Sequence, residues 1–234
     1  KLKTRVVVDG RSMNESQSGK YIASSTPRTT SLMMHFGATP LTPNEVNRQA
    51  DITGAFLKVK QYTADGSRCF VRLPADMAEY TTINGRRVEL VYLLKRTLYG
   101  QPNSPFLFEQ AFSEWATTEG GLVRSTVDPC LYYSPSGKLR LLQMVDDSHL
   151  RGCPKEAAAF EEAYEQKWGS KFEDAAFWLN MNITRDREGM FSLSQPAYAR
   201  DLVKRFGMQD ARGASTPLPP GTNVDKSQRS TSTE

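Results

Sequence analysis

The sequence predicts an α+β fold in which an antiparallel sheet carries helices on one face. First, strand-like and helix-like segments follow one another in the order β, α, β, β, α, β, which differs from the regular alternation of a parallel sheet. Second, short turn sequences such as SPSG join neighbouring strand-like segments, as in hairpins. Third, two amphipathic segments rich in aromatic residues each end at glycine, which predicts two helices with one buried face.

The elements of the first hundred residues are mostly strands. The run KTRVVV predicts a strand, residues 11–27 predict a loop because they are rich in Ser, Asn and Gly, and RTTSLMMHFGA predicts a short helix ending at Gly37. The segment NEVNRQADITGAFL predicts a strand that leads into a turn at Gly54. CFVRLP, which ends at Pro74, and RRVELVYLL each predict a further strand.

Helices and hairpins make up the second half. NSPFLFEQAFSEWATTEGG predicts a helix that Ser104 caps and that has Pro105 in its first turn. The remaining elements are predicted as two strands from DPCLYYSPSGKLRLLQMV, a helix from CPKEAAAFEEAYEQKWGS, a hairpin with Gly189 in its loop from AFWLNMNITRDREGMFSLS, and a last helix from PAYARDLVKRFGM. From Ser215 onward the chain is rich in Pro, Ser and Thr, which predicts a linker or disordered tail.

The composition excludes several classes of protein. No run of 18 apolar residues occurs, so a transmembrane helix is not expected, and the chain opens on Lys1 without a signal peptide, as a piece of something longer would. Three cysteines without a C-x-x-C spacing argue against a disulfide framework or a zinc site, and two histidines leave little room for histidine-based catalysis. No P-loop, dinucleotide-binding or nucleophile-elbow motif is present.

The segment RLLQMVDDSHL places two adjacent aspartates, Asp146 and Asp147, in an apolar run, where they are predicted to form the turn of a hairpin between LRLLQMV and SHLRG. A surface turn explains such a pair without any chemistry, because Asp is a common turn residue. A metal site is the sharper alternative, since two carboxylates this close must share a proton or be separated by positive charge. Asp51, at the end of a predicted strand, is the best candidate for a third ligand, and three carboxylates are suited to two Mg²⁺ ions.

Several segments resemble those of copia-type retrotransposon reverse transcriptases and occur in the same order. They are RQADITGAFLKV, FVRLPADM, LKRTLYGQPNSP, DPCLYY, LLQMVDD and MFSLSQPAYARDLVKRFGM followed by STPLPPGT. Each motif is weak alone, whereas six in register are specific. The resemblance covers nearly the whole chain, from KTRVVVDG to STPLPPGT.

The resemblance implies a right-hand polymerase fold with fingers, palm and the start of a thumb. The palm would contain the antiparallel sheet with helices on one face. The implied domains are fingers and the lead-in to the palm at 1–50, palm with inserted fingers elements at 51–195, the start of the thumb or connection helix at 196–214, and a disordered linker or tail at 215–234.

The resemblance also assigns roles to residues. Asp51, Asp146 and Asp147 would hold two Mg²⁺ ions, for which Mn²⁺ can substitute. Nucleotide contacts are implied for the basic pair Lys3 and Arg5, for Phe56 beneath the sugar, where it rejects a 2′-hydroxyl, and for Asn103. The primer-grip hairpin, which holds the primer end, would be formed by Phe177, Trp178, Leu179 and Asn180.

The chain departs from the family pattern around the aspartates. It has Met144 for Tyr, Asn103 for Gln, Phe108 for Trp, Asn180 for Gly, and Ser148 and His149 where apolar residues are usual. The proposed metal ligands are thus present although their neighbours differ. An alternative function is therefore a decayed or domesticated nucleic-acid-binding module; another two-metal nucleotidyl transferase, such as a cyclase, is a more distant one.

The resemblance implies an RNA template, a DNA primer and deoxynucleoside triphosphates as partners, together with the RNase H and integrase regions of a parent polyprotein. An intracellular location, in a cytoplasmic virus-like particle or the nucleus, and no membrane partner are expected on the same basis. The net charge of +4 lies within residues 1–30, since the rest of the chain nets to zero. Such a basic segment suits either a polyanion or a charge-guarded strand edge.

Overall fold

A computed structural model describes residues 7–9, 24–37, 42, 44–61, 68–216 and 221–222 of the chain. The chain divides into two compact units, Lys1–Ser194 and Gln195–Glu234. The helices are α1 (Thr29–Gly37), α2 (Ser104–Thr118), α3 (Pro154–Trp168) and α4 (Pro196–Arg205), with a 3₁₀ helix at Ala55–Lys58. The strands are β1 (Val46–Asp51), β2 (Phe70–Val71), β3 (Tyr80–Ile83), β4 (Arg86–Glu89), β5 (Tyr92–Leu93), β6 (Val123–Arg124), β7 (Leu131–Tyr133), β8 (Leu139–Met144), β9 (Asp147–Gly152), β10 (Glu173–Asp174), β11 (Phe177–Trp178), β12 (Met181–Arg185) and β13 (Phe191–Ser194).

Six strands form the largest sheet of the first unit. Their order is β10-β1-β9-β8-β7-β6, and each neighbouring pair is antiparallel. β1 and β9 are neighbours in this order, although about a hundred residues separate them in the sequence. The mixture of helices and antiparallel strands is the one that the sequence predicts.

One face of this sheet packs against α2 and α3. Ala50, Leu141 and Leu150 from the strands join one buried cluster with aromatic residues of both helices. Within it, Phe112 and Trp168 stack with their ring centroids 5.7 Å apart. Aromatic pairs of this kind contribute about 0.5–1.5 kcal/mol beyond the area they bury. The aromatic stripes therefore form core, as the sequence analysis predicted for the first of them.

The opposite face of the sheet is also covered, which the prediction of helices on one face did not include. Phe36 of α1, Leu142 of β8, Trp178 of β11 and Ile183 of β12 form a second buried cluster. A three-stranded sheet of order β11-β12-β13 supplies the last two residues. Side chains alternate between the faces of a strand, so neighbours such as Leu141 and Leu142 enter different clusters.

Four local predictions need correction. The segment 86–94 forms two strands, β4 and β5, in two separate two-stranded sheets. The segment 176–194 forms three strands instead of one hairpin. Asn103, not Ser104, stands at the cap of α2, and the Ser104 hydroxyl donates to the carbonyl of Leu98 at 2.8 Å. Asp147 is the first residue of β9, so the hairpin turn is Val145–Asp146.

The second unit contains α4, in which no residue is buried. The predicted first strand KTRVVV and the predicted tail 215–234 lie mostly outside the described residues. In the part of the chain that the structure covers, no helix combines the length and apolarity needed to cross a membrane.

Candidate active site

Strand pairing brings the three predicted metal ligands to one end of the six-stranded sheet. Asp51, the last residue of β1, lies directly opposite Asp147, the first residue of β9. Asp146 precedes it in the β8–β9 turn, and its carbonyl accepts a hydrogen bond from the amide of Ile52 at 2.9 Å. Directly opposed residues in an antiparallel pair have Cβ atoms about 4.5–5.5 Å apart, so Asp51 and Asp147 are close neighbours.

Charge repulsion acts on Asp147. Burial raises the pKa of its carboxyl from the ordinary value of 3.8 to about 6, and the negative charges of Asp146 and then Asp51 add to this rise. The carboxyl is half-buried, and among the described residues no positive charge offsets this rise in its pKa. The arrangement is therefore one in which a bound cation would relieve an unfavourable interaction.

Stability should depend on pH through Asp147. Because its folded-state pKa lies above the unfolded value, the folded chain holds this proton more tightly, and stability falls as pH rises from about 4 to about 6. Without metal, Asp147→Asn should therefore exceed wild type in unfolding free energy by about 1 kcal/mol at pH 7, after allowance for solvent screening. Urea unfolding of both proteins from pH 4 to pH 7.5 measures this difference, which should shrink towards pH 4; a constant difference would contradict the assignment.

A cavity of about 310 Å³ connects the aspartates with the predicted primer-grip hairpin. Its lining consists of Gln49, Ala50, Asp51, Asp147, Glu173, Phe177, Trp178, Leu179 and Asn180. All four residues of the predicted grip are therefore beside two of the three predicted metal ligands. Asp146, Phe56 and Asn103 are not among the lining residues.

The tip of the predicted grip is a tight turn. Trp178 pairs with Met181, so Leu179 and Asn180 form a two-residue loop, and both have positive φ, at 46° and 61°. Two positive φ angles are the pattern of a type I′ hairpin turn, which accommodates Asn and Gly best. Asn180 therefore suits its position in this turn, whereas Leu179 is held there with some strain.

The other predicted nucleotide contacts are placed differently. Phe56 lies in the 3₁₀ helix that follows Gly54 (φ 68°), and its half-buried ring packs 5.0 Å from that of Tyr99 and 6.3 Å from that of Phe108. Asn103 is buried, and its Oδ1 has no hydrogen-bond partner among the described residues. Lys3 and Arg5 lie outside the described residues.

The sequence analysis missed two polar residues of the cavity, Gln49 and Glu173. Gln49 lies two residues before Asp51 on the same face of β1, and its Nε2 donates to Glu173 at 2.9 Å. The Oε1 of Gln49 and the Nε1 of Trp178 are buried and have no partner among the described residues. The period of two along β1 was the signal that could have identified Gln49; Glu173, more than a hundred residues away, carried no such signal.

Two histidines and an arginine are buried beside the cavity. The Nε2 of His35 and the Nδ1 of His149 are 2.8 Å apart, and Arg151 donates to the His35 carbonyl at 2.7 Å. Burial and then the charge of Arg151 lower the pKa of His149 to about 3. The His149 ring is 5.2 Å from that of Trp178. These neutral rings therefore support the cavity wall as packing groups.

The aspartates do not form a complete metal site without further ligands. Within the described ranges, no group of three His, Cys, Asp or Glu side chains is arranged to hold a metal ion. Mg²⁺ is commonly bound by one or two carboxylates together with water and substrate phosphates, so such an open arrangement is compatible with it. The hard oxygen atoms of Asp51 and Asp147 are also the ligand type that it requires.

Comparison with known proteins relates the chain to a retrotransposon polyprotein. The chain is 28% identical, over 154 residues, to the retrovirus-related Pol polyprotein from transposon TNT 1-94 of Nicotiana tabacum. The matched region is 62% of this chain and 11% of that polyprotein, so the chain corresponds to a small part of its relative. No protein-family model matches the chain. The similarity supports a retrotransposon-related origin, without identifying a particular domain of the polyprotein.

Proposed function

We propose that the chain is an RNA-directed DNA polymerase derived from a retrotransposon polyprotein. It would extend a DNA primer with deoxynucleotides on an RNA template, and DNA is expected to serve as template too. The observation that carries this proposal is the pairing of Asp51 with Asp147 at the edge of a cavity, with Asp146 in the adjoining turn. The Pol polyprotein relative and the order of the sequence motifs support the same class of reaction.

Asp51, Asp146 and Asp147 are the residues that would hold Mg²⁺. Their number and their oxygen donors fit a site that the phosphates of the substrate complete. Bound divalent ions would stabilise the attacking and leaving oxygens of an in-line displacement at phosphorus. Burial and then the charges of Asp146 and Asp51 raise the pKa of Asp147, which is consistent with a group that functions with a cation beside it.

The cavity wall suggests how a primer would be held. Phe177, which is 49% exposed, and the loop Leu179–Asn180 face the same cavity as Asp51 and Asp147. We assign them to the contact with the primer end, whose 3′-hydroxyl attacks the α-phosphorus of the nucleotide while pyrophosphate leaves. Positioning this hydroxyl beside the carboxylates is the contribution of the hairpin.

Primer extension by the purified chain on a primed RNA template tests the proposed function. Extension that requires Mg²⁺ or Mn²⁺ and is lost with a chelator is the expected result. A chain that binds the primed template and extends no primer would instead have the alternative function, that of a nucleic-acid-binding module. The departures from the expected sequence pattern at Met144, Asn103 and Phe108 are the observation that favours this second function.

Phe56 is expected to select against ribonucleotides. A ring beneath the nucleotide sugar leaves no room for a 2′-hydroxyl, so Phe56→Val should raise the ratio of ribo- to deoxynucleotide incorporation by about tenfold or more. Because the ring also packs on Tyr99 and Phe108, a loss of stability of about 1–3 kcal/mol should accompany it. Single-nucleotide incorporation and a thermal melt separate the two effects. Lower stability with unchanged selectivity would mean that Phe56 is a packing residue alone.

A further inference from the structure

The β8–β9 turn has an unfavourable backbone conformation next to the aspartates. Val145 has a φ of 53°, whereas the following Asp146 is not among the residues with positive φ. A single positive φ at the first turn position is the pattern of a type II′ turn, where glycine is preferred. A β-branched residue in this region is a genuine outlier, which persists only when surrounding contacts enforce it.

A chain of buried hydrogen bonds supplies those contacts. The hydroxyl oxygens of Tyr164 and Ser148 are 2.8 Å apart, Ser148 donates to the Oε1 of Gln143 at 2.5 Å, and the Nε2 of Gln143 donates to the carbonyl of Val145 at 2.6 Å. Tyr164 and Ser148 are fully buried, and Gln143 is 6% exposed.

The donor inventory fixes the direction of this hydrogen-bonded chain. Ser148 has one hydroxyl hydrogen, which goes to the acceptor-only Oε1 of Gln143, so the Tyr164 hydroxyl must donate to Ser148. All donors therefore point from α3 towards the turn, an arrangement in which each bond polarises the next. Tyr164 lies on α3, in the core cluster on the other face of the sheet from the cavity.

This series of hydrogen bonds contacts the backbone or side chain of the residues on either side of the pair Asp146–Asp147. It reaches the carbonyl of Val145, immediately before Asp146, and it passes through Ser148, immediately after Asp147. The amide of Ile52 fixes the carbonyl between them. The orientation of both carboxylates is thereby tied to α3.

We propose that Tyr164 is a positioning residue, which acts through Ser148 and Gln143 to hold Asp146 and Asp147 in the orientation that binds a divalent cation. The inference rests on the proposed function only for the cation; the placement of the turn by Tyr164 is independent of polymerisation. Neighbours that orient metal ligands typically change metal affinity by 10- to 100-fold when they are replaced.

The test compares Tyr164→Phe with a matched control, Tyr132→Phe. Tyr132 is 1% exposed in the same core, and its hydroxyl is hydrogen-bonded to Ser113 instead of to the turn. Calorimetric titration of the purified chain with Mn²⁺ should show about tenfold weaker binding for Tyr164→Phe and wild-type binding for Tyr132→Phe. Amide hydrogen exchange over residues 145–148 should be faster only in Tyr164→Phe.

A double-mutant cycle adds a second readout. Because Tyr164 acts through Ser148, combining Tyr164→Phe with Ser148→Ala should weaken Mn²⁺ binding no further than Ser148→Ala alone.

The inference is overturned if Tyr164→Phe only lowers the melting temperature, as Tyr132→Phe does, with Mn²⁺ binding and exchange unchanged. If the wild type binds Mn²⁺ and Tyr164→Phe weakens this binding, but the chain extends no primer, the proposed polymerase function is excluded and the positioning role of Tyr164 stands. Absence of Mn²⁺ binding by the wild type, both alone and with primed template and a deoxynucleoside triphosphate present, would overturn both.

Discussion

Replacing Asp51 or Asp147 with Asn is expected to reduce primer extension by about a thousandfold or more without unfolding the chain. Each change removes a charged oxygen ligand from a site where charge develops on transferring phosphate, and about 4 kcal/mol of lost transition-state stabilisation corresponds to that factor. The melting temperature of the metal-free Asp147→Asn variant should rise, because a partly buried negative charge that Asp146 and Asp51 repel is gone. Rates at saturating primed template and nucleotide measure the effect.

Glu173 provides the matched control for these variants. It lines the same cavity as Asp51 and Asp147, but its carboxylate is already bonded to Gln49. Glu173→Gln removes one negative charge from the cavity and should keep the rate within about threefold of wild type, as expected for a surface charge screened by solvent. Equal losses in all three variants would mean that the total charge of the cavity matters and that the two aspartates have no special role.

Arg151→Ala is expected to cost about 3–5 kcal/mol of unfolding free energy. The side chain is fully buried; it donates to the His35 carbonyl, lies 3.9 Å from the carboxylate of Glu45 and packs 5.2 Å from the ring of Phe191. Truncation leaves a cavity and at least one buried acceptor without its donor. Because these contacts join α1 and β13 to β9, the same variant should loosen the wall of the aspartate cavity.

Arg48 is the control for this substitution. It lies on β1 of the same sheet and pairs with Glu161 and Asp174, but its side chain remains 29% exposed. Arg48→Ala should cost about 1 kcal/mol or less, since solvent screens such pairs. Urea unfolding of both variants at pH 7 gives the two values. Similar losses of unfolding free energy in the two variants would show that the buried contacts of Arg151 do not contribute more to stability than the exposed ion pairs of Arg48.

The sequence predicted that Asp51 would lie close to Asp146 and Asp147, but it did not predict the hydrogen bonds that hold the turn between β8 and β9. An Asp-Asp pair between two strand-like segments predicts a hairpin, and Asp51 at the end of another strand predicts a neighbour. Residue type gave no indication that Val145 would adopt a positive φ, because valine disfavours it. The hydrogen bonds that enforce it begin at Tyr164, on α3, for which the sequence analysis predicted only an amphipathic helix.

Contacts between distant segments explain the other differences. His35 and His149 are 114 residues apart, and only the packing of α1 on the sheet makes them neighbours. The run RRVELVYLL has uniform strand propensity, yet β4 and β5 pair with different partners and the run divides between them. Propensity describes one segment at a time and therefore cannot identify the strand with which it pairs.

The location of a bound Mn²⁺ ion tests the central claim most directly. Crystals of the chain grown with Mn²⁺, primed template and a deoxynucleoside triphosphate would reveal the ion by its anomalous X-ray scattering. We predict a peak within about 2.0–2.4 Å of carboxylate oxygens from both Asp51 and Asp147, with the nucleotide phosphates completing the coordination. A peak held elsewhere, with these two carboxylates free of metal while the nucleotide is bound, would contradict the proposed active site.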